Sequence, residues 1–576
     1  MPRVELDNIF APVVTGVPPS NAFRNLIRLP DGTIRCYGYR GTVREPHPLY
    51  IESRDNGLTW QSKELDPGFI LTDKPTVDEV VSPSPGVPSP YSGDYYFLWS
   101  GPGVPLSVYR STTGIDGPYH ARQIDHRLAG MMRLPLFLRR RERVIVPTNL
   151  YCDDGINRAA VALSDDDGHT WRVREIETID PYPITWPDRG IRWQNRVTEP
   201  TVVELSDGTL WMLLRTSTNN HYESFSYDGG DTWTAPKPSP FYGTLTMPTL
   251  HRLSDGRILF LWCNTTPLPE RDHSLLPEGD PLTESIRSGR AEDVFTNRDA
   301  FHAAISEDDG KTWIGFRELL LNPARNDGDF ATSGGGPAVS LDKSVHQSQA
   351  VELPHGKVLV AVGQHPVCRR LLIFDPAWLY EKGRRDDFEN GLEHWSVHQY
   401  IDEIRGHCAY DRKVGPRLVA HPDRPGAQVL HIRRTPDPSL VSDVQGAVWN
   451  FPAAPSGTFC TRIQLLPGTA GGRINLTDRW FNPTDVFARH FAMYTVTFRP
   501  DESGAVQLEP GVWHELVFRW DAADTGACRL TVGERSLTLP LVHPSAFGIS
   551  YVHFLSAEDR YDDAGYLIEL VAAGSL

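Results

Sequence analysis

The chain has 576 residues and a net charge of −16, which argues against nucleic acid as a partner because phosphate-binding proteins carry the opposite sign. No segment approaches the ~18 consecutive apolar residues that a membrane span requires. The length predicts two or three domains, and the 15 Trp and 20 Tyr supply flat rings that stack on sugars.

The N-terminal sequence MPRVELDNIFAPVV lacks a basic segment followed by an apolar run, so we expect no signal peptide. The seven Cys are dispersed and odd in number, without C-x-x-C spacing. This pattern is typical of reduced thiols and argues against a Cys-ligated zinc site. Both observations predict a cytoplasmic location.

Four segments share the pattern S-x-D-x-G-x-T-W. Such a segment predicts a β-hairpin turn: the Asp accepts hydrogen bonds from the backbone, the Gly takes a positive φ, and the Trp packs beneath. Strand–turn–strand units around a central turn occur at 26–38, 202–215, 250–262 and 351–363. The four repeats are SRDNGLTW (53–60), SDDDGHTW (164–171), SYDGGDTW (226–233) and SEDDGKTW (306–313).

This pattern is the Asp box, and in it the sequence resembles the BNR-repeat β-propellers of the sialidase superfamily. In that family the boxes are structural and lie away from the active site. Counting repeat units predicts a six-bladed β-propeller over residues 1–380, with 107–119 as a blade whose box has decayed. The first and last strands are expected to share a blade, which closes the ring and removes free sheet edges.

The character of the chain changes after the propeller segment. Residues 386–576 contain no repeat and show alternating strands such as VWHELVFRW (512–520), with turns at about ten-residue spacing. They resemble the laminin-G or concanavalin-like jelly rolls of carbohydrate-active proteins. We therefore predict an all-β protein in which a C-terminal β-sandwich follows the propeller.

The resemblance implies three arginines that hold a substrate carboxylate, because planar guanidinium groups match carboxylate oxygens. Arg24 in AFRNL stands in the family's first arginine motif, although Leu26 replaces its Pro. Glu199 opens a strand pair that Arg215 ends, as the family's Glu and second Arg do. Arg298, shortly before the fourth repeat, is the candidate for the third arginine.

Two catalytic side chains of the family are missing. Gln347, beside His346, occupies the position of the nucleophilic Tyr. The segment that should carry the acid/base Asp, CYGYRGTVREPHPLY, contains Glu45 and His47 but no Asp. These departures leave three functions open.

The first function is an exo-acting glycoside hydrolase on a terminal acidic sugar or its neighbour, with Glu199 as base and Glu45 or His47 as acid. Two carboxyl groups in an inverting arrangement stand ~6.5–9.5 Å apart to admit water. Gln347 and the three arginines would bind the substrate. We expect no metal in this site and no cofactor, although the fold leaves room for a structural calcium ion.

The second function is a polysaccharide or oligosaccharide lyase acting at a uronic acid. Arg24 and Arg215 would neutralise the carboxylate, and His346 with Tyr37 or Tyr39 would move the proton. The third function is a propeller that binds glycans without catalysis. All three make an acidic carbohydrate the partner, with no membrane and with the oligomeric state left open.

Overall fold

The structure is a computed structural model and describes residues 5–575 apart from several segments. Strands dominate the described part, and its helices are the short 3₁₀ segments Leu6–Asn8, Pro354–Gly356, Pro376–Tyr380 and Val486–His490. No helix among the described residues is long and apolar enough to cross a membrane. The segments left out are 21–22, 43–44, 66–69, 72–85, 102–103, 126–127, 131–132, 153–156, 181–195, 244, 267–297, 327–343, 365, 405–409, 441 and 522–525.

The first half of the N-terminal part forms one strand and three sheets. Strand β1 (Val13–Gly16) pairs elsewhere, as described below. Sheet 1 contains β2 (Leu26–Arg28), β3 (Ile34–Thr42), β4 (Glu45–Ser53) and β5 (Gln61–Glu64). Sheet 2 contains β6 (Ile70–Leu71), β7 (Val87–Pro88), β8 (Tyr95–Gly101), β9 (Val104–Ser111) and β10 (Tyr119–Asp125). Sheet 3 contains β11 (Leu128–Gly130), β12 (Leu136–Phe137), β13 (Val144–Tyr151), β14 (Asn157–Ser164) and β15 (Arg172–Glu175).

Three further sheets follow. Strand β1 pairs with β26 (Arg370–Phe374), the last strand of sheet 6, which confirms that the first and last strands of this part share a sheet. Sheet 4 contains β16 (Thr198–Glu204), β17 (Leu210–Arg215), β18 (Asn220–Ser226) and β19 (Lys237–Tyr242). Sheet 5 contains β20 (Thr249–Arg252), β21 (Ile258–Trp262), β22 (Ala300–Ser306) and β23 (Ile314–Leu321). Sheet 6 contains β24 (Ser348–Glu352), β25 (Val358–Val362) and β26 (Arg370–Phe374).

Each sequence repeat forms the same turn between the last two strands of its sheet. In the fourth repeat, Asp308 accepts hydrogen bonds from the hydroxyl of Ser306 (2.9 Å) and from the backbone N–H (2.8 Å) and hydroxyl (2.6 Å) of Thr312. The backbone at Gly310 has φ 83°, a conformation that favours glycine. The segment 111–119 makes the corresponding turn of sheet 2 without the motif.

Apolar clusters join the six sheets in cyclic order. Each cluster contains buried or half-buried side chains from two sheets that are neighbours in sequence, and the last one joins sheet 6 to sheet 1. The clusters contain, in order, Ile27 with Val87, Tyr109 with Val146, Val161 with Met212, Trp211 with Phe260, Leu261 with Val360, and Leu359 with Ile34.

The C-terminal part contains two larger sheets that share one apolar core, in which Trp395, Trp449 and Trp520 are buried. The larger sheet is formed by β27 (Gly383–Asp386), β31 (Arg417–Ala420), β32 (Gln428–Arg434), β34 (Ser456–Leu465), β38 (Trp513–Asp521), β39 (Cys528–Val532), β40 (Arg535–Leu539) and β42 (Asp562–Ser575). The smaller sheet is formed by β28 (Trp395–Ser396), β33 (Gly446–Ala454), β35 (Gly472–Thr477), β36 (Tyr494–Arg499), β37 (Val506–Gln507) and β41 (Ile549–Ser556). A separate hairpin is formed by β29 (Gln399–Ile404) and β30 (Tyr410–Lys413).

Candidate functional site

The edge strands β2, β7, β12, β16, β20 and β24, which we call the first strands of the six sheets, line one central cavity of about 580 Å³. Hydrogen bonds cross between neighbouring first strands: the Leu26 N–H donates to Gln349 Oε1 (2.8 Å), and the Leu250 N–H donates to Thr201 Oγ1 (3.1 Å). The first strands therefore converge, although their sequence positions lie up to 323 residues apart.

The strand register places the candidate residues at a common end of their sheets. In sheet 4, Ser226 of the third repeat pairs with Leu210, whereas Arg215 pairs with Thr198 at the opposite end. We call the end opposite the repeat turns the distal end. By the same register, Arg24 lies at the distal end of sheet 1, Glu199 at that of sheet 4 and Arg298 at that of sheet 5. His346 and Gln347 lie at the distal end of sheet 6.

Glu199 and Arg215 form a buried ion pair, in which Arg215 Nη1 donates to Glu199 Oε1 at 2.8 Å. The Glu199 backbone has φ 47° beside an irregularity in the strand register, and its N–H donates to Asn149 Oδ1 (2.7 Å). A left-handed conformation costs about 1–2 kcal/mol for a residue with a side chain. The second carboxylate oxygen, Oε2, is buried and accepts no hydrogen bond from any described residue. This oxygen is therefore free to bind a water molecule or a substrate group.

Arg298 and His346 form a second buried pair, with Arg298 Nη1 at 2.8 Å from His346 Nε2. Because a guanidinium group only donates, Nε2 is the acceptor and the imidazole is neutral in this arrangement. Gln364 Nε2 lies 2.9 Å from the same nitrogen and donates to it as well. The His346 Nε2 lone pair is thus already engaged by two donors.

Leu245 links the two pairs. Its N–H donates to the carbonyl of Thr216, which follows Arg215, at 2.8 Å, and its own carbonyl accepts from Arg298 Nη2. Leu245 has φ 51° and Gln347 has φ 61°, so sheets 4, 5 and 6 each have a left-handed residue at or just before the first strand. Backbone strain of this kind concentrates at functional sites.

Arg24 stands apart from these pairs. The residue is buried, and burial alone lowers the pKa of its guanidinium to about 10, without an opposing carboxylate among the described residues. A cation taken out of water without a partner is costly, so the position suits an anion that arrives from outside the protein. No described contact joins Arg24 directly to Glu199 or His346.

The two acid candidates lie on the hairpin of β3 and β4. Strand pairing of Thr42 with Glu45 closes this hairpin at the distal end of sheet 1. His47 is exposed on β4. The backbone of Glu45 is placed in this strand, but its side chain lies outside the described residues.

Arg133 is a further basic residue that the sequence analysis missed. Its guanidinium lines the central cavity and donates to the Pro248 carbonyl (2.5 Å) and to Thr249 Oγ1 (3.3 Å). Burial lowers the pKa of Arg133 to about 10, and the charge of Glu199 opposes that shift. Its only signal in the sequence is an isolated Arg in the apolar run MMRLPLFL.

The C-terminal part reaches the distal end of sheet 5. Asp299, directly after Arg298, pairs with Arg412 Nη2 at 2.9 Å, and both side chains are buried. The N–H of Trp480 donates to the Asn264 carbonyl at 2.9 Å. No group of three or more His, Cys, Asp or Glu arranged to hold a metal ion occurs in the described part of the chain.

Residues 118–372, which contain the second, third and fourth repeats, match the family model of the BNR repeat-like domain. The chain therefore contains a BNR repeat-like domain. The match confirms the resemblance to the sialidase superfamily that the repeats indicated.

The chain is also similar to solved structures at low identity, and no curated protein matches it. A Trypanosoma rangeli sialidase in complex with sialic acid is 12% identical with a TM-score of 0.36, over 100% of this chain and 96% of that chain. A Hadza microbial sialidase is 14% identical with a TM-score of 0.41, over 63% and 67% of the two chains. A protein of unknown function from Dyadobacter fermentans is 16% identical with a TM-score of 0.38, over 65% and 98%. Similarity at this level does not establish a shared activity.

Proposed function

We propose that residues 1–380 form a six-bladed β-propeller and that residues 386–576 form a β-sandwich. The cyclic order of apolar clusters and the cavity lined by all six first strands support the propeller. The common core of the two C-terminal sheets supports the sandwich. In this arrangement the distal ends of the sheets form one face, and the repeat turns form the other.

We propose that this protein is a glycoside hydrolase that cleaves the bond of a terminal acidic sugar or its neighbour. The observation that carries the proposal is that two complementary groups lie at the distal end. Among the described residues, Arg24 is a buried cation that pairs with no carboxylate, and Glu199 Oε2 accepts no hydrogen bond. Arg24 binds the sugar carboxylate. Glu199 Oε2 accepts a proton from the attacking water.

The proton that the leaving group needs comes from the β3–β4 hairpin in this proposal, from Glu45 or His47. Both residues lie at or near the distal end of sheet 1, the sheet that also contributes Arg24. An acid on one sheet and a base on another leave room for substrate and water between them, as hydrolysis with inversion requires.

Arg215 takes a different role from the one the resemblance implies. Because Arg215 Nη1 binds Glu199 Oε1, the guanidinium fixes the carboxylate and orients Oε2. Arg298 is also held by hydrogen bonds within the protein, from Nη1 to His346 Nε2 and from Nη2 to the Leu245 carbonyl. Arg24 is therefore the principal substrate-binding arginine of the proposal, and Gln347 is a neutral contact near it.

The lyase alternative has less support. Nε2 of His346, the intended proton carrier, already accepts hydrogen bonds from Arg298 and Gln364. Burial raises the pKa of Tyr37 far above neutral, although its hydrogen bond from Arg35 opposes the shift. Neither group is suited to accept a proton from a sugar carbon near neutral pH.

The test incubates the full-length protein with a panel of sialylated and uronic-acid oligosaccharides. Release of a free acidic sugar without ultraviolet absorbance supports hydrolysis, whereas absorbance from an unsaturated product shows lyase chemistry and refutes the proposal. Saturable binding without any product shows a glycan-binding protein and also refutes it. Glu142→Gln, on an exposed turn at the repeat end of sheet 3, is the matched control for Glu199→Gln.

A further inference from the structure

A second large cavity lies between the two parts of the chain, and we call it the junction cavity. Its volume is about 770 Å³. The N-terminal part contributes Val14 of β1, most of β23, Arg325, Arg370 and Trp378, and the C-terminal part contributes Arg384 and 392–394. None of its lining residues belongs to the candidate functional site.

Four arginines line the junction cavity, and three of them form no ion pair at contact distance with a carboxylate among the described residues. Arg317 pairs with Glu381 at 2.5 Å. Arg325 donates to the Trp395 carbonyl (2.9 Å), Arg370 to the Arg369 carbonyl (2.8 Å) and Arg384 to the Asn450 carbonyl (2.8 Å). A carbonyl satisfies an N–H donor but does not neutralise the charge, so the cavity holds an excess of positive charge.

Burial and the charges of the arginines shift the pKa values of titratable groups in the cavity. The pKa of His394 is lowered to about 4, first by burial and then by the charges of Arg384, Arg325 and Arg317. Glu318 compensates this charge only in part near neutral pH, because burial raises its pKa to about 7. The other acidic residue of the lining, Glu393, is exposed to solvent.

This positive region is local, because the whole chain carries a net charge of −16. Two of the arginines, Arg370 and Arg384, are only half-buried and can contact a molecule that enters. Guanidinium groups bind carboxylate, sulfate and phosphate oxygens through paired, charge-assisted hydrogen bonds. Apolar side chains such as Leu320 and Leu392 complete the wall.

We propose that the junction cavity is a second, non-catalytic binding site for an oxoanion. The ligand is either a free inorganic anion or the carboxylate or sulfate group of an acidic saccharide. It binds Arg370 and Arg384 and bridges the two parts of the chain, since Arg370 lies in the first part and Arg384 in the second.

The test measures binding of three probes to the full-length protein by calorimetry: a glucuronic acid oligomer, inorganic sulfate and inorganic phosphate. The measurements use the Arg24→Gln variant, which removes the cation of the candidate functional site. We expect saturable binding of at least one probe, and an Arg384→Gln change should weaken that binding about tenfold or more, because one charge-assisted contact is lost. Binding of only the oligomer identifies a saccharide ligand, and equal binding of sulfate or phosphate identifies a free anion.

Arg385→Gln is the matched control, because Arg385 is the exposed neighbour of Arg384 on β27. Arg370→Gln is the second test variant if loss of Arg384 impairs folding, since Arg370 donates only to its own neighbour's carbonyl among the hydrogen bonds found. A weaker affinity in Arg384→Gln or Arg370→Gln with no change in Arg385→Gln supports the site. Absence of binding for all three probes, or equal effects of the test and control variants, would overturn it.

Discussion

Asp299 and Arg412 form a buried ion pair, 2.9 Å long, that ties the residue after Arg298 to the C-terminal part. Asn322 Nδ2 donates to the same Asp299 oxygen at 2.8 Å. Since Arg298 holds His346 and Leu245, the position of the distal end of sheet 5 depends on a contact made 113 residues further along the chain.

Breaking this pair should destabilise the protein strongly. Arg412→Gln removes the cation that lies nearest to the buried Asp299 carboxylate, which costs about 3–5 kcal/mol in free energy of unfolding. Denaturant unfolding followed by tryptophan fluorescence measures the loss. The double variant Asp299→Asn/Arg412→Gln should lose less than the sum of the single variants, and additive losses would show that the pair is not energetically coupled.

Glu318 should make stability depend on pH near neutrality. Its pKa is raised from 4.5 to about 7 by burial, so the folded state binds a proton that the unfolded state has released. The contribution of Glu318 to the free energy of unfolding is therefore fully present below about pH 4.5. It falls as the pH rises to about 7, by up to about 3 kcal/mol. Glu318→Gln should remove that slope from the difference between variant and parent. An unchanged slope would contradict the assignment.

The repeat turns should contribute to stability and not to activity. Asp308→Ala removes the acceptor of three hydrogen bonds, and water then binds the exposed Thr312 donors, so we expect a loss of about 1 kcal/mol in the free energy of unfolding. Asp563→Ala, at an exposed position of the C-terminal part, is the control and should change little. Thermal unfolding checks both variants. Loss of turnover in a folded Asp308→Ala protein would argue against a purely structural role.

Arg24 should determine affinity for the acidic group of the substrate. In Arg24→Gln, KM for an acidic oligosaccharide should rise at least tenfold, because a desolvated charge pair is lost. In the same variant, KM for an acidic substrate and KM for its neutral analogue should be about equal. Arg54→Gln, an exposed arginine of the first repeat, serves as the control, and an equal effect of both variants would refute the role of Arg24.

The sequence predicted local features well. The four repeats and the central turns determine strand positions through turn chemistry, which involves residues a few positions apart. The sequence spacing of Glu199 and Arg215 also has a local cause, because the two residues lie on paired strands. Arg215 pairs with Thr198, the residue next to Glu199.

Other site residues had no local signal. Asn149 accepts a hydrogen bond through its side-chain Oδ1, Leu245 accepts through its backbone carbonyl, and Gln364 donates through its side-chain amide. Such contacts depend on how the sheets pack and not on a motif. The ion pair between Arg215 and Glu199 likewise depends on the left-handed backbone at Glu199, which the sequence pattern did not reveal.

The most direct test of the account compares Glu199→Gln with the parent protein, measuring both turnover and binding of the acidic oligosaccharide that the parent cleaves. The amide keeps the size of the side chain but does not accept a proton from water. We expect kcat to fall by at least about 10²-fold, the range for a general base, while the dissociation constant changes little. Full turnover in a folded Glu199→Gln protein would contradict the central claim that this carboxylate activates water at the distal end of the sheets.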